Sequence, residues 1–146
     1  MAFQYYEGTM DFVAATPALI VTFKASGSIT AGRAVCYDAG GSGDVYQIAA
    51  AAGIVSGSQG TAYVPAGIAL QTKSDDQEIA VLVWGYAKNL PYHGHISITA
   101  GKPLVLSGSG YLSTSGSQYE TFYHVGKCVT GSATGGTIVA FIDCMT

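Results

Sequence analysis

A six-residue segment occurs twice in this chain, and this internal repeat constrains the fold more than any other feature of the sequence. Residues 28–33 read Ser-Ile-Thr-Ala-Gly-Arg, and residues 97–102 repeat them 69 positions later with lysine in place of arginine. A weaker repeat follows at an offset of 59, where residues 67–70 and 78–84 correspond to 126–129 and 137–142. We therefore expect two related units, the first longer by about ten residues.

Short apolar segments between glycine-rich turns predict β-strands in both units. Gly32 and Gly101 each follow Ile-Thr-Ala in a turn, where glycine adopts the positive φ that other residues avoid. The near-continuous apolar runs at 78–84 and 137–142 are rich in Val and Ile and short, which favours strands covered on both faces over a buried helix. The sequence predicts an all-β protein with one compact barrel-like or sandwich-like domain.

The domain organisation follows from the repeat. We predict an N-terminal arm or first strand at 1–26, a first β-unit at 27–85, a linker at 86–95 and a second β-unit at 96–146. The arm carries an aromatic cluster, which is either an anchor on a partner or the apolar face of a first strand: Phe3, Tyr5, Tyr6 and Phe12.

The low charge excludes several classes of partner. Only 10% of the residues are charged, against about 25% in an average soluble protein. The net charge is −3 and Arg33 is the only arginine, so the chain lacks the basic patch that nucleic-acid binding requires. No apolar window is long enough for a membrane helix, and the N-terminus does not resemble a signal peptide. A surface with so few charges is typical of a subunit covered by neighbours in an assembly.

No residue pattern predicts catalysis, a cofactor or a metal. The three cysteines form no Cys-x-x-Cys pair, which favours a reducing compartment over a disulfide framework. His93 and His95 alternate as metal ligands would, but no acidic residue or cysteine stands beside them. His124 and Cys128 would lie about 13 Å apart on one strand, too far for a nucleophile and its base. We expect a non-enzymatic protein.

The repeated Ile-Thr-Ala-Gly-[Arg/Lys] turn, the Ala-Gly-Ile-Ala-Leu segment at 66–70 and the strand at 77–85 resemble a known family. They are similar to the capsid decoration proteins (cement or head-stabilising proteins) of tailed bacteriophages that contain duplicated β-units. The resemblance covers about residues 27–143 and implies a virion structural protein, made in the host cytoplasm, on the exterior of the capsid. It implies the major capsid protein as partner and a homo-oligomer, with a trimer favoured.

The same resemblance suggests where the contacts lie. The aromatic side chains of the arm would contact the capsid, by strand addition to a capsid sheet among other modes. Tyr92 and His93, between the two units, would contact other subunits. The alternatives are a carbohydrate-binding or adhesin-like β module, which would need an aromatic platform formed by Trp84, Tyr86 and Tyr92, a head-fibre or tail component, and a small trimeric β hydrolase.

Overall fold

A computed structural model describes residues 18–38, 43–47, 64–92, 97–114, 124–132 and 136–144. Phe3, Tyr5, Tyr6, Phe12 and His93 lie outside these residues. The described segments contain nine strands: β1 (Leu19–Lys24), β2 (Ala34–Tyr37), β3 (Val45–Tyr46), β4 (Pro65–Ala69), β5 (Glu78–Pro91), β6 (Pro103–Leu106), β7 (Leu112–Ser113), β8 (His124–Thr130) and β9 (Thr137–Asp143).

All nine strands belong to one sheet, so the predicted all-β fold is confirmed. The strand order is β3-β2-β4-β5-β9-β8-β6-β7, every pairing is antiparallel, and β1 also pairs with β5. The described part contains no α-helix, only a short turn at Gly108–Gly110 in which Ser109 has φ +61°, and no helix there is long and apolar enough to cross a membrane. The fourteen-residue β5 is the centre of the sheet because it pairs with β1, β4 and β9.

Several backbone hydrogen bonds recur at equivalent positions of the two units. In the first unit the Ile29 amide donates to the Lys73 carbonyl at 2.9 Å, and in the second the Ile98 amide donates to the Ser132 carbonyl at 3.0 Å. The amide of Gly32 in the first repeated turn and that of Gly101 in the second each donate to a strand carbonyl, of Ala69 and Cys128 respectively, at 2.8 Å. Because local sequence and long-range pairing recur together, the duplication is a structural repeat.

The structural repeat is longer than the repeat visible in the sequence. β1 pairs with the first half of β5, and the second half of β5 pairs with β9 in the same manner. Parallel bridges close both units alike, Ala25 to Val45 in the first and Tyr92 to Leu112 in the second. Residues 86–91, predicted to belong to a linker, therefore form the strand that opens the second unit.

The buried apolar residues form two clusters. The first-unit cluster contains nine buried residues, each with an equivalent in the second unit. The nine equivalent pairs are Ala25/Tyr92, Ile29/Ile98, Val35/Leu104, Val45/Leu112, Ala66/Val125, Ala69/Cys128, Ile79/Ile138, Val81/Ala140 and Val83/Ile142. All nine second-unit residues belong to the other cluster, called here the main cluster, which also takes in one face of the first unit.

The two long strands differ in how they are covered. On β5, Leu82 belongs to the main cluster and Val81 to the first-unit cluster, so this part of the strand is buried on both faces as predicted. On β9, Ile138 and Ile142 are buried, but Val139 and Phe141 on the other face are half-buried. The prediction that both faces are covered is therefore wrong for β9 within the described residues. The main cluster covers one face of unit 1, and no described cluster covers the equivalent face of unit 2.

Candidate interaction surfaces

The two units contact each other through a turn of the first and a hairpin of the second. The guanidinium of Arg33 lies 3.5 Å from the centre of the Tyr111 ring. It donates hydrogen bonds to the Tyr111 hydroxyl at 2.6 Å and to the Ser109 carbonyl at 3.1 Å. A Cβ placed on Gly110 would lie 2.6 Å from the Ala34 carbonyl oxygen, so backbone approaches backbone here. The hairpin is thus fitted closely onto the first unit.

One face of the first unit is buried in this association. This face, called here the outer face of unit 1, belongs to the main cluster and consists of Ala34, Cys36, Ile68, Leu70 and Leu82. All five side chains are 0% exposed. Their burial gives the main cluster an apolar contribution from both units.

The equivalent face of the second unit lies mostly at the surface. The matching registers of β2, β4 and β5 with β6, β8 and β9 define this outer face of unit 2, which consists of Pro103, Val105, Lys127, Val129 and Phe141. Lys127 is exposed, Val129 is 42% exposed, Pro103 and Phe141 are half-buried, and Val105 is buried. Most positions of this face are therefore interior in one unit and surface in the other.

An aromatic cluster continues the outer face of unit 2. Phe141 packs edge to face against Trp84 and Tyr86, with ring centres 5.1 and 4.9 Å apart. Beside it a shallow depression of about 170 Å³ is lined by residues of β8 and β9: His124, Gly126, Lys127, Phe141 and Asp143. Half-buried aromatic rings beside an exposed cation are suited to contact with a protein surface.

The first unit carries a second exposed apolar patch, consisting of Phe23, Tyr37 and Val64. It lies at the end of the strand order formed by β3 and β2, called here the free end of unit 1. Phe23 and Tyr37 stack edge to face at 5.7 Å, and the Tyr37 amide donates to the Val64 carbonyl at 3.0 Å. Tyr37 is 36% and Val64 53% exposed. We call these three residues the free-end patch.

An open, acidic groove of about 580 Å³ lies beside the free-end patch. Three carboxylates line it together with Lys24 and other residues: Asp44, Asp76 and Glu78. Lys24 forms an ion pair with Asp76, whose hydrogen bond and charge raise the pKa of the lysine. No group of three or more His, Cys, Asp or Glu side chains in the described segments is arranged to hold a metal ion.

Of the residues predicted to make contacts, only Tyr92 is described. Its side chain is 4% exposed in the main cluster, and its hydroxyl donates to the Ser132 carbonyl at 3.4 Å. A side chain buried to this degree has little surface left for another subunit, so the structure does not support the predicted contact of Tyr92 with other subunits. For the same reason Tyr92 does not join Trp84 and Tyr86 in an aromatic platform for carbohydrate.

The described cysteines and histidine are not arranged for nucleophilic chemistry. Burial raises the pKa of Cys36 to about 12, and burial with the nearby Asp143 charge raises that of Cys144 to about 12. Cys128 is buried on β8, where burial also raises its pKa, and His124 lies at the start of the same strand. A thiol with a raised pKa stays protonated at neutral pH and is a poor nucleophile.

Sequence reasoning did not identify the outer faces, although the repeat contained a signal for them. At equivalent positions the first unit has Ile68 and Leu70, and the second has Lys127 and Val129. A lysine in place of a buried isoleucine marks the face that remains in contact with water.

The comparisons with known proteins give a likeness of fold. No protein-family model and no curated protein sequence matches the chain. A solved structure does: the N base of the head fiber protein gp8.5 of bacteriophage phi29 has a similar fold, with a TM-score of 0.55 and 16% sequence identity. The match covers 86% of this chain and 94% of that one, so the fold is similar over most of both chains.

Proposed function

We propose that this chain is a non-enzymatic structural protein of a tailed-bacteriophage virion that binds the outer surface of the capsid. It stabilises the shell by bridging major capsid subunits. The observation that carries the proposal is the shared fold, since 86% of the chain follows the base of a phage head fiber. The repeated Ile-Thr-Ala-Gly turns and the low content of charged residues support the same class of protein.

The mechanism is mass action combined with bridging. A protein that binds the assembled shell and not its free subunits stabilises the shell by the free energy of that binding. Several weak contacts from one oligomer to neighbouring capsid subunits add up to a tight attachment. We assign the capsid contacts to the aromatic side chains of the N-terminal arm, Phe3, Tyr5, Tyr6 and Phe12. A homo-oligomer, with a trimer favoured, would present several such arms on the capsid exterior.

The base of a head fibre is the second candidate. The comparison with the phi29 protein favours it directly, because that structure is itself a head fiber base. The two functions make different demands on the shell. A bridging protein raises the temperature at which the shell opens, whereas a fibre base needs only to be attached.

The test is binding of the purified full chain to expanded shells that lack it. Co-sedimentation should give a fixed, saturable number of copies per shell, and differential scanning calorimetry should show the shell opening at a higher temperature. Deletion of residues 1–15 should weaken binding by roughly tenfold or more, because it removes all four aromatic anchors. Lys73→Glu, a charge change at the turn after β4, should bind as the wild type does.

The three outcomes separate the candidates. Binding with an unchanged opening temperature would support the fibre base over the bridging protein. Failure to bind any shell would contradict both. Unaltered binding of the shortened chain would remove the arm from the contact.

A further inference from the structure

The internal contact between the two units provides a template for a contact between molecules. In that contact the outer face of unit 1 is buried, and the hairpin of unit 2 is packed against its edge at Arg33 and Ala34. Each surface has an equivalent elsewhere in the chain. The equivalent of the outer face of unit 1 is the outer face of unit 2, and the equivalent of the β6–β7 strand pair of unit 2 is the β2–β3 strand pair at the free end of unit 1.

Both equivalents carry apolar side chains that are exposed where their counterparts are buried. Leu70 is 0% exposed, and its equivalent Val129 is 42% exposed. Leu106 is 0% exposed, and its equivalent Tyr37 is 36% exposed. Val129 and Tyr37 are two of the four large hydrophobic side chains that are exposed in the described residues. The repeat therefore leaves two surfaces uncovered, the outer face of unit 2 and the free end of unit 1.

The charges at the two surfaces are complementary. In the internal contact Arg33 meets Tyr111. The residue equivalent to Arg33 is Lys102. Asp44 is the equivalent of Tyr111, because the same hydrogen bond recurs in both units: the Asp38 amide donates to the Asp44 carbonyl, and the Ser107 amide donates to the Tyr111 carbonyl. A contact of the same geometry between two molecules would bring Lys102 of one beside Asp44 of the other.

We propose that the outer face of unit 2 binds the free end of unit 1 of a second copy of this chain. The contact repeats the internal one, with Val129 and Phe141 against the free-end patch and Lys102 against Asp44. Such a contact joins unlike surfaces, so each copy retains one of each, and the copies close into a ring or extend as a chain. The inference deepens the oligomer included in the proposed function by naming its surfaces, and it rests on that part of the proposal alone.

The test uses opposite charge reversals in the full chain, in solution and without shells. Sedimentation velocity of the wild type over a range of concentrations should show species heavier than the 15.0 kDa monomer. Lys102→Glu alone and Asp44→Lys alone should each weaken association by roughly tenfold, because each places like charges together. The double variant Lys102→Glu/Asp44→Lys should associate like the wild type, since every contact then brings the introduced carboxylate beside the introduced ammonium group.

Two further variants complete the design. Val129→Asp should reduce association without unfolding the chain, because this side chain is already 42% exposed. Lys73→Glu is the control, because it makes the same charge change as Lys102→Glu at a different place. Lys73 follows the end of β4 that is opposite to Val64, and this variant should associate normally. Circular dichroism of each variant should match the wild type.

Three results would overturn the proposal. They are a wild type that stays monomeric at all concentrations, a double charge variant that associates no better than either single variant, and a Val129→Asp protein that assembles normally. If Val129→Asp abolished shell binding while the wild type stayed monomeric in solution, the occupant of the face would be the capsid. If the chain bound shells but did not self-associate, the proposed function would hold and this contact would be wrong. If the chain self-associated as predicted but did not bind shells, this contact would hold and the proposed function would be wrong.

Discussion

At the scale of single residues, two glycines set how closely the strands approach. A Cβ added to Gly67 would lie 2.1 Å from the carbonyl oxygen of Leu82, and one added to Gly126 would lie 2.0 Å from that of Phe141. The two glycines are equivalent positions, and Leu82 and Phe141 are equivalent as well. Because the obstacle in each case is backbone of the neighbouring strand, no side-chain movement relieves it.

We therefore expect Gly126→Ala to destabilise the protein by about 3 kcal/mol, the upper part of the range for overpacked sites. Gly101→Ala is the matched control. Gly101 has φ +84° but open space around it, so alanine there should cost only the roughly 1 kcal/mol of a left-handed residue. Urea unfolding of the two variants measures both values. Equal losses of stability would show that the close approach at Gly126 costs no more than the left-handed backbone at Gly101.

The buried thiols give stability a dependence on alkaline pH. The pKa of Cys36 rises from 9.0 to about 12 in the fold. Below about pH 9 the thiol is protonated in both states and its contribution is fully present. Between about pH 9 and 12 the unfolded chain releases the proton and the folded chain keeps it, so stability falls as pH rises, by up to about 1.4 kcal/mol per pH unit.

Cys36→Ala should remove this part of the dependence. The variant is less stable at pH 7 because of the cavity, but its stability should fall less steeply than that of the wild type between about pH 9 and 10.5. Urea unfolding at several pH values in this range measures the slopes. Parallel slopes would mean that the Cys36 thiol ionises as readily in the fold as in the unfolded chain.

At the scale of elements, the contact between the first repeated turn and the hairpin of unit 2 depends on one side chain. Arg33 makes two hydrogen bonds and a cation–π contact across the units, whereas its repeat equivalent Lys102 is exposed. Arg33→Ala should therefore cost about 2 kcal/mol of stability, and Lys102→Ala should cost less than about 0.5 kcal/mol under conditions where the chain is monomeric. Chemical unfolding of both variants gives the comparison.

A double-mutant cycle with Tyr111→Phe separates the two kinds of interaction. The phenylalanine keeps the ring under the guanidinium but removes the hydroxyl that accepts the 2.6 Å hydrogen bond. We expect a coupling energy of about 1 kcal/mol between Arg33 and the hydroxyl. If the effects of the two substitutions on stability are additive, Arg33 stabilises the protein through its hydrogen bond to Ser109 and its contact with the Tyr111 ring, and not through the hydroxyl.

The strands also show which elements sequence patterns predict. The apolar run at 78–84 predicts the first half of β5, because burial on both faces leaves a continuous hydrophobic signature. Residues 86–91 contain Lys88, Asn89 and Pro91, which are typical of a linker. They form a strand because β9 supplies their hydrogen bonds, and the register shift between Ala87 and Leu90 places Asn89 at φ +55°. Only the tertiary partner decides such a segment, and a single sequence does not contain that information.

At the scale of the whole molecule, the duplication predicted two similar units but not how they differ. Periodicity indicates which side chains of a strand share a face. It does not indicate which of two equivalent faces another unit covers, because that depends on how the sheet curls. The outer faces of the two units differ in burial for this reason, and the candidate surfaces became visible only in the folded chain.

The same asymmetry predicts how the molecule unfolds. The main cluster contains the interior of unit 2 and the outer face of unit 1, and β5 supplies a strand to each unit. Unfolding of either unit removes part of the shared main cluster, so calorimetry should show one transition with equal calorimetric and van't Hoff enthalpies. Leu82→Ala, on the outer face of unit 1, should lower that transition by about 10 °C, whereas Thr22→Ala on the exposed side of β1 should leave it unchanged.

Hydrogen exchange tests whether the effect reaches the other unit. In Leu82→Ala, amides of β8 and β9 should lose protection together with those of β2 and β4, because all four strands contribute to the main cluster. Protection lost only in the first unit, or two separate calorimetric transitions, would show that the units fold independently. In that case each unit would fold before the two associate, and the five apolar side chains buried between them would form a binding interface within one chain.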